Sequence, residues 1–165
     1  MGLDMYLERK IYLGGKWDKD IKVMVFKGNK PLGLDLSNVE YVTESCGYWR
    51  KANAIHQWFV TNVQDGNDDC GEYHVSDEKL QELLELCKKV LAYKDKILEE
   101  KDDKAIEQVH QLLPTQDGFF FGGLDYDEYY FDCVADTIST ITEVLKENAE
   151  NTENYRSSIY YSSSW

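Results

Sequence analysis

"LDMYLERKIYL", residues 3–13, sets β-forming side chains in loose alternation with polar ones, and its reading decides the fold. Downstream, "DIKVMVF" (20–26) alternates more clearly through Ile21, Val23 and Val25. Gly14-Gly15 with Lys16-Trp17-Asp18 supplies a turn, so the two segments predict an antiparallel hairpin. "KGNKPLG" (27–33) reads as a loop from its Gly, Asn and Pro. "VEYVTES" (39–45) predicts a third strand with Val39, Tyr41 and Thr43 on one face.

The period then changes from two to between three and four. In "YWRKANAIHQWFVTNV" (48–63), Tyr48, Ala52, Ile55, Phe59 and Val63 follow helical spacing and predict an amphipathic helix. "QDGNDD" ends it, and "CGEYHV" (70–75) predicts a short strand. Ser76 followed by Asp77 and Glu78 is a helix start, a hydroxyl cap with acids facing the dipole. Leu80, Leu83, Leu84, Cys87, Val90 and Leu91 continue that helix. The charged stretch 93–105 bends or interrupts it before "IEQVHQLL", and Pro114 stops it.

"QDGFFFGGLDYDEYY" (116–130) packs three phenylalanines, three glycines and three tyrosines among four acids. Glycines bracketing Phe119-Phe120-Phe121 predict a short strand at 118–123. Alternation would then set Phe120 opposite Phe119 and Phe121, one side in the core and the other toward Trp49, Arg50 and Asn53. Asp125 and Glu128 predict a capping box for a helix over 125–148, carried by Tyr130, Val134, Thr137, Ile138, Ile141 and Leu145. The tail "YRSSIYYSSSW" fits either a last strand or a frayed end. The expected fold is α+β: a single domain over 1–165, its largely antiparallel sheet covered on one face by three or four helices.

The chain has 165 residues, enough for one substantial core, with 12 tyrosines and four tryptophans that argue for order. Its net charge of −13 opposes direct binding to nucleic acid or anionic membrane and suits a partner protein with a basic surface. Four scattered cysteines (46, 70, 87 and 133) form no C-x-x-C pair. The start "MGLDMYLERK" has no apolar signal core, Tyr6 stands where myristoylation requires Ser or Thr, and no segment approaches a membrane span. A cytoplasmic protein with reduced thiols is expected.

Phosphate-cradling glycine loops, the G-x-S-x-G elbow and the H-E-x-x-H helix are absent, and no catalytic residue is assigned. "DDCGEYH" offers Asp68, Asp69, Cys70, Glu72 and His74, so Asp69, Glu72 and His74 are the candidate metal ligands, but a polar strand edge explains them as well. No cofactor is expected. Cys46 beside Gly47 would gain nucleophilicity at a helix start, yet ten helical residues, about 15 Å, separate it from His56. The remaining candidate is a polar-aromatic surface for a ligand or partner: Trp49, Arg50, Asn53, His56, Gln116, Phe119, Phe121, Tyr126 and Asp127. Equally, these aromatics are core, with tyrosine hydroxyls satisfied at its edge.

"MGLDMYL", "YWRKANAIHQWFV", "DDCGEYHVS", the glycine-bracketed "FFF" stretch and "YYSSSW" together resemble a family of small phage, prophage and bacterial proteins that begin "MGLDMYL". Some members carry the label phosphoglycerate kinase, which the absent nucleotide loop and the short chain do not support. The resemblance implies a small accessory protein of phage–host conflict, in the host cytoplasm if phage-encoded. The expected function is non-enzymatic binding that inhibits a host macromolecule in counter-defence, such as a nuclease or CRISPR-type system. Two other readings are a sponge for a nucleotide-like ligand and a metal-assisted hydrolase.

Overall fold

The computed structural model describes residues 2–14, 23–151 and 155–165. Four strands form one antiparallel sheet in the order β4-β1-β6-β5: β1 Asp4–Tyr12, β4 Tyr41–Arg50, β5 Glu72–Val75 and β6 Arg156–Ser164. A separate two-residue ladder joins β2 (Phe26–Lys27) to β3 (Lys30–Pro31). The helices among the described residues are α1 Asn53–Asn62, α2 Asp77–Leu91, α3 Lys94–Leu98, α4 Asp103–Leu112 and α5 Glu128–Asn151. The α+β class is therefore as the periodicities indicate, and the tail resolves as a strand.

β1 behaves as its alternation dictates. Met5, Leu7, Arg9 and Ile11 are buried, while Asp4, Tyr6, Glu8, Lys10 and Tyr12 are only partly covered on the other face. β1 pairs with β4 along one edge and with β6 along the other, so both of its backbone edges are satisfied. At Leu7 and Glu8 the register to β4 skips from Gly47 to Ser45, leaving Cys46 as the extra residue of a bulge. Gly47 is required there, because a Cβ would lie 2.7 Å from Thr140 of α5.

Several expectations are corrected. Residues 20–22 and the turn after Gly14 lie outside the described residues, and 23–25 form no strand, so β1 takes 41–50 rather than 23–26 as its partner. The 27–33 loop is itself a small hairpin turning at Gly28. Residues 48–50 extend β4, and Lys51 at φ 56° breaks the chain before α1 begins at Asn53. Residues 118–123 form no strand. α5 begins at Glu128, capped by Asp127 rather than Asp125, with the Tyr130 N–H donating to its carboxylate at 3.0 Å.

The α2 signals hold in detail. The Ser76 hydroxyl accepts from the Lys79 N–H at 3.3 Å, and Leu80, Leu83, Leu84, Cys87 and Val90 face the core. Asp102 caps α4 in the same way. On α5, Tyr130, Val134, Thr137 and Ile141 are buried, and Ile138 and Leu145 pack at the margin. No described helix is long and apolar enough to cross a membrane.

Arg9 stands in the buried row where the pattern asks for an apolar residue. Its guanidinium reaches Glu147 at 2.8 Å, Glu44 at 3.1 Å and the Asn148 side-chain oxygen at 3.1 Å, tying β1 to β4 and α5. Desolvation opposes its charge, but the bonds to Glu147 and Glu44 outweigh this and raise its pKa, so it stays cationic. Both acids keep access to water, with 46% and 41% of their side chains exposed. Removing the cation therefore does not strand them. Arg9→Ala should cost about 3 kcal/mol, mostly lost packing, and Arg9→Met should recover more than half of that in denaturant unfolding.

Candidate functional site

The site is built where α1 begins. Ala52, at the N-cap, offers the helix no side-chain cap, and the next side chain, Asn53, turns instead to the 116–123 segment. Asn53 is buried, and its amide donates to the carbonyls of Phe121 (3.3 Å) and Gly123 (2.8 Å). Its carbonyl accepts from the Gln116 N–H at 3.0 Å. One side chain thus supplies three of the backbone partners that a sheet would otherwise provide. This is why the aromatic run can be a loop.

Two glycines shape that loop. A Cβ on Gly118 would lie 2.6 Å from the Phe121 ring, and Gly122 at φ 105° would press on Lys51 at 3.1 Å. Phe121 folds inward against His56, with ring centroids 5.3 Å apart. Phe119 points outward at 83% exposure, and Phe120 is 46% exposed with φ 75°. Their rings meet edge to face at 4.2 Å. A bulky residue in the left-handed region is strained, and such strain is held only where the surroundings over-determine it. Here the Phe120 carbonyl accepts from the Leu3 N–H at 3.4 Å, and the Leu3 carbonyl accepts from Lys51 at 2.7 Å.

Behind Phe121 runs a polar chain, buried at His56 and Tyr161 and reached by solvent at Asp68 and Trp165. The carboxylate of Asp68 takes the Nε2–H of His56 at 3.1 Å, which leaves Nδ1 to accept the Tyr161 hydroxyl at 2.8 Å. The other Asp68 oxygen accepts the Trp165 indole N–H at 3.0 Å. The order of groups matches a nucleophile, a base and an orienting acid. However, Tyr161 is fully buried, and burial holds its pKa well above 10. No substrate reaches that hydroxyl. The chain clasps α1, β6 and the segment before β5 together.

Of the nine residues expected to form a surface, Asn53, Gln116, Phe119 and Phe121 converge on this loop, with His56 directly beneath. Tyr126 bonds His110 Nδ1 at 2.9 Å, and Asp127 is the α5 cap, so both belong to the loop's base. Trp49 is excluded because it points into the core. Arg50 lies on the opposite face of β4, 3.9 Å from Asp4. The expected alternation fails, since Phe119 and Phe120 are both outward and Phe121 alone is inward. Tyr161, Asp68 and Trp165 were missed as a network. Only the alternation of the tail, which sets Ile159 and Tyr161 on one side, pointed toward it.

The other candidates separate. Among the described residues no group of three His, Cys, Asp or Glu could hold a metal. Asp69 accepts from the Tyr73 hydroxyl at 3.0 Å, Glu72 pairs with Lys10, and His74 lies against Tyr160. Cys46 sits in β4 rather than at a helix start, and burial pushes its thiol up despite the nearby Arg9. A cleft of about 400 Å³, open to solvent, lies between residues 51–55 and the start of α5, lined by Asn53, Thr115, Tyr129 and Val134 among others. Comparison of the chain with protein-family models, curated proteins and solved structures gives no match, so the site is read on its geometry.

The three phenylalanines should differ sharply. Phe121→Ala should cost about 3–4 kcal/mol in unfolding experiments, whereas Phe119→Ala should stay within about 0.5 kcal/mol. Phe120→Gly relieves the left-handed strain and should be neutral to about 1 kcal/mol stabilising. Thiol labelling gives a second check. Burial pushes Cys87 up to about 12 and Cys133 up to about 11, so at pH 8 both are overwhelmingly protonated. Iodoacetamide should modify exposed Cys70 first and Cys87 only after unfolding.

Proposed function

We propose that the protein acts by non-enzymatic binding and presents the Phe119–Phe120 pair to a partner protein with a basic surface. The observation that carries this reading is a strained, exposed aromatic tip held by a buried asparagine. Exposed aromatics on a rigid mount lose little entropy on binding and are effective interface anchors. Asp117 and Asp125, both exposed, flank the tip and favour a cationic rim on the partner. The net charge of −13 supports the same partner and disfavours nucleic acid. The sequence resemblance supports a host macromolecule as the target and inhibition in counter-defence, in the host cytoplasm, as the consequence.

Affinity capture from host lysate, followed by binding kinetics with the captured protein, tests the proposal. Phe119→Ala combined with Phe120→Gly should weaken binding at least tenfold, chiefly through faster dissociation, while the fold stays intact. Asp117→Lys with Asp125→Lys should slow association and reduce its salt dependence. A partner bound equally well by the aromatic double variant would sink this reading.

A further inference from the structure

The charge of the chain is unevenly placed. Residues 1–50 hold 8 basic and 7 acidic side chains, net +1, while residues 51–165 hold 10 and 24, net −14. The exposed apolar side chains are uneven in the same sense. None of residues 23–48 is buried, yet Met24, Phe26, Leu32, Leu34, Tyr41 and Val42 lie there, each more than a third exposed. Lys27 and Lys30 against Asp35 and Glu40 leave residues 23–42 with zero net charge.

These side chains lie on a small hairpin and on the start of β4, which follows it in the chain. The β2–β3 hairpin continues through the Leu32 N–H to the Val25 carbonyl at 2.9 Å. From the hairpin, residues 33–40 lead to the start of β4, where the Leu13 N–H bonds the Glu40 carbonyl at 2.8 Å and extends the β1–β4 ladder. Among the described residues β4 is an edge strand, with β1 on one side only. Its first five residues are exposed on both faces, so the sheet overhangs the helical layer at this corner. An apolar surface next to an unpaired strand edge is a liability for a lone molecule.

We propose that this surface is a self-association interface, occupied by the hairpin and β4 start of a second copy of this chain across a two-fold axis. Such a contact sets like against like. A patch of zero net charge tolerates that arrangement, whereas any contact through residues 51–165 brings two strongly negative surfaces together. A basic partner would gain its attraction from those later residues rather than from the hairpin, and an anionic membrane would be repelled by the chain as a whole. The area is adequate. The exposed apolar surface here is on the order of 600 Å² per copy before flanking backbone is added, against ~800 Å² per partner in a standard interface. This inference is independent of the aromatic tip, which bonds Leu3 at the opposite end of β1 from the start of β4.

Sedimentation velocity of the intact protein over a concentration and salt series tests it. The expected result is a monomer–dimer equilibrium that tightens as salt screens the residual repulsion between copies. Phe26→Asp and Leu34→Asp, both at exposed positions, should each raise the dimer dissociation constant at least tenfold while circular dichroism stays unchanged. Phe119→Asp, at the tip, should leave the dimer intact. A wild-type monomer throughout, a dimer that weakens with salt, or one untouched by the hairpin variants would overturn the proposal. So would a monomer that floats with phosphatidylcholine vesicles, which would assign the hairpin to lipid.

Discussion

Pairing on both edges of β1 is the constraint on which the rest of the molecule depends. β4 and β6 come from distant parts of the chain, and β1 is the strand that joins them into one sheet. Its alternation decides which face is buried, since a shift by one residue would send Leu7 to solvent and Glu8 to the core. Arg9 sits within that buried row and converts part of it into a charged clasp on α5. The hydrophobic drive fixes the layer, and the guanidinium fixes how α5 lies across it.

The aromatic loop follows from the same strand. Leu3, at its beginning, is fully buried, donates to Phe120 and accepts from Lys51. The backbone of one residue therefore spans the loop and the break before α1. Asn53 completes the mount from the helix side. Because both anchors are buried and mutually satisfied, the left-handed conformation of Phe120 can persist although it is unfavourable by itself. Phe121 fills the space below, and the His56 chain fixes what lies beneath Phe121. Order at the exposed tip is thus supplied by polar bonds that solvent hardly reaches.

What was legible in the sequence was local. The β1 alternation, the Ser76 cap, the leucine stripe of α2 and the stop at Pro114 each express interactions within a few residues. Tyr48, Trp49 and Arg50 were misread because their spacing to Ala52 and Ile55 also suits a helix. The ladder to Asp4, Met5 and Tyr6 overrides that spacing, and nothing local announces it. The phenylalanine run failed for the converse reason. Aromatics between glycines look like a strand, but no neighbouring strand takes their backbone, and the side chain of Asn53 does so instead. The polar chain joining Asp68, His56, Tyr161 and Trp165 includes bonds across 105 and 97 residues and lay beyond any periodicity.

The high tyrosine content has a cause apart from binding. The face of the sheet opposite the buried row pairs Tyr6 with Tyr48 and Tyr12 with Tyr41 across strands, at ring distances of 5.5 and 5.4 Å. Lys10 lies 4.9 Å from the Tyr160 ring centre and also pairs with Glu72. A tyrosine suits such a position because its ring covers the neighbouring backbone while its hydroxyl remains in water. Phenylalanine would leave an apolar patch there, and serine would leave the ladder open to solvent. These rings are accounted for by the sheet they shield. Phe119 and Phe120 have no such account, since they shield no strand and Phe120 sits on an unfavourable backbone that Leu3 and Asn53 hold in place. The proposed binding role of the loop rests on that contrast rather than on the aromatic share of the whole chain.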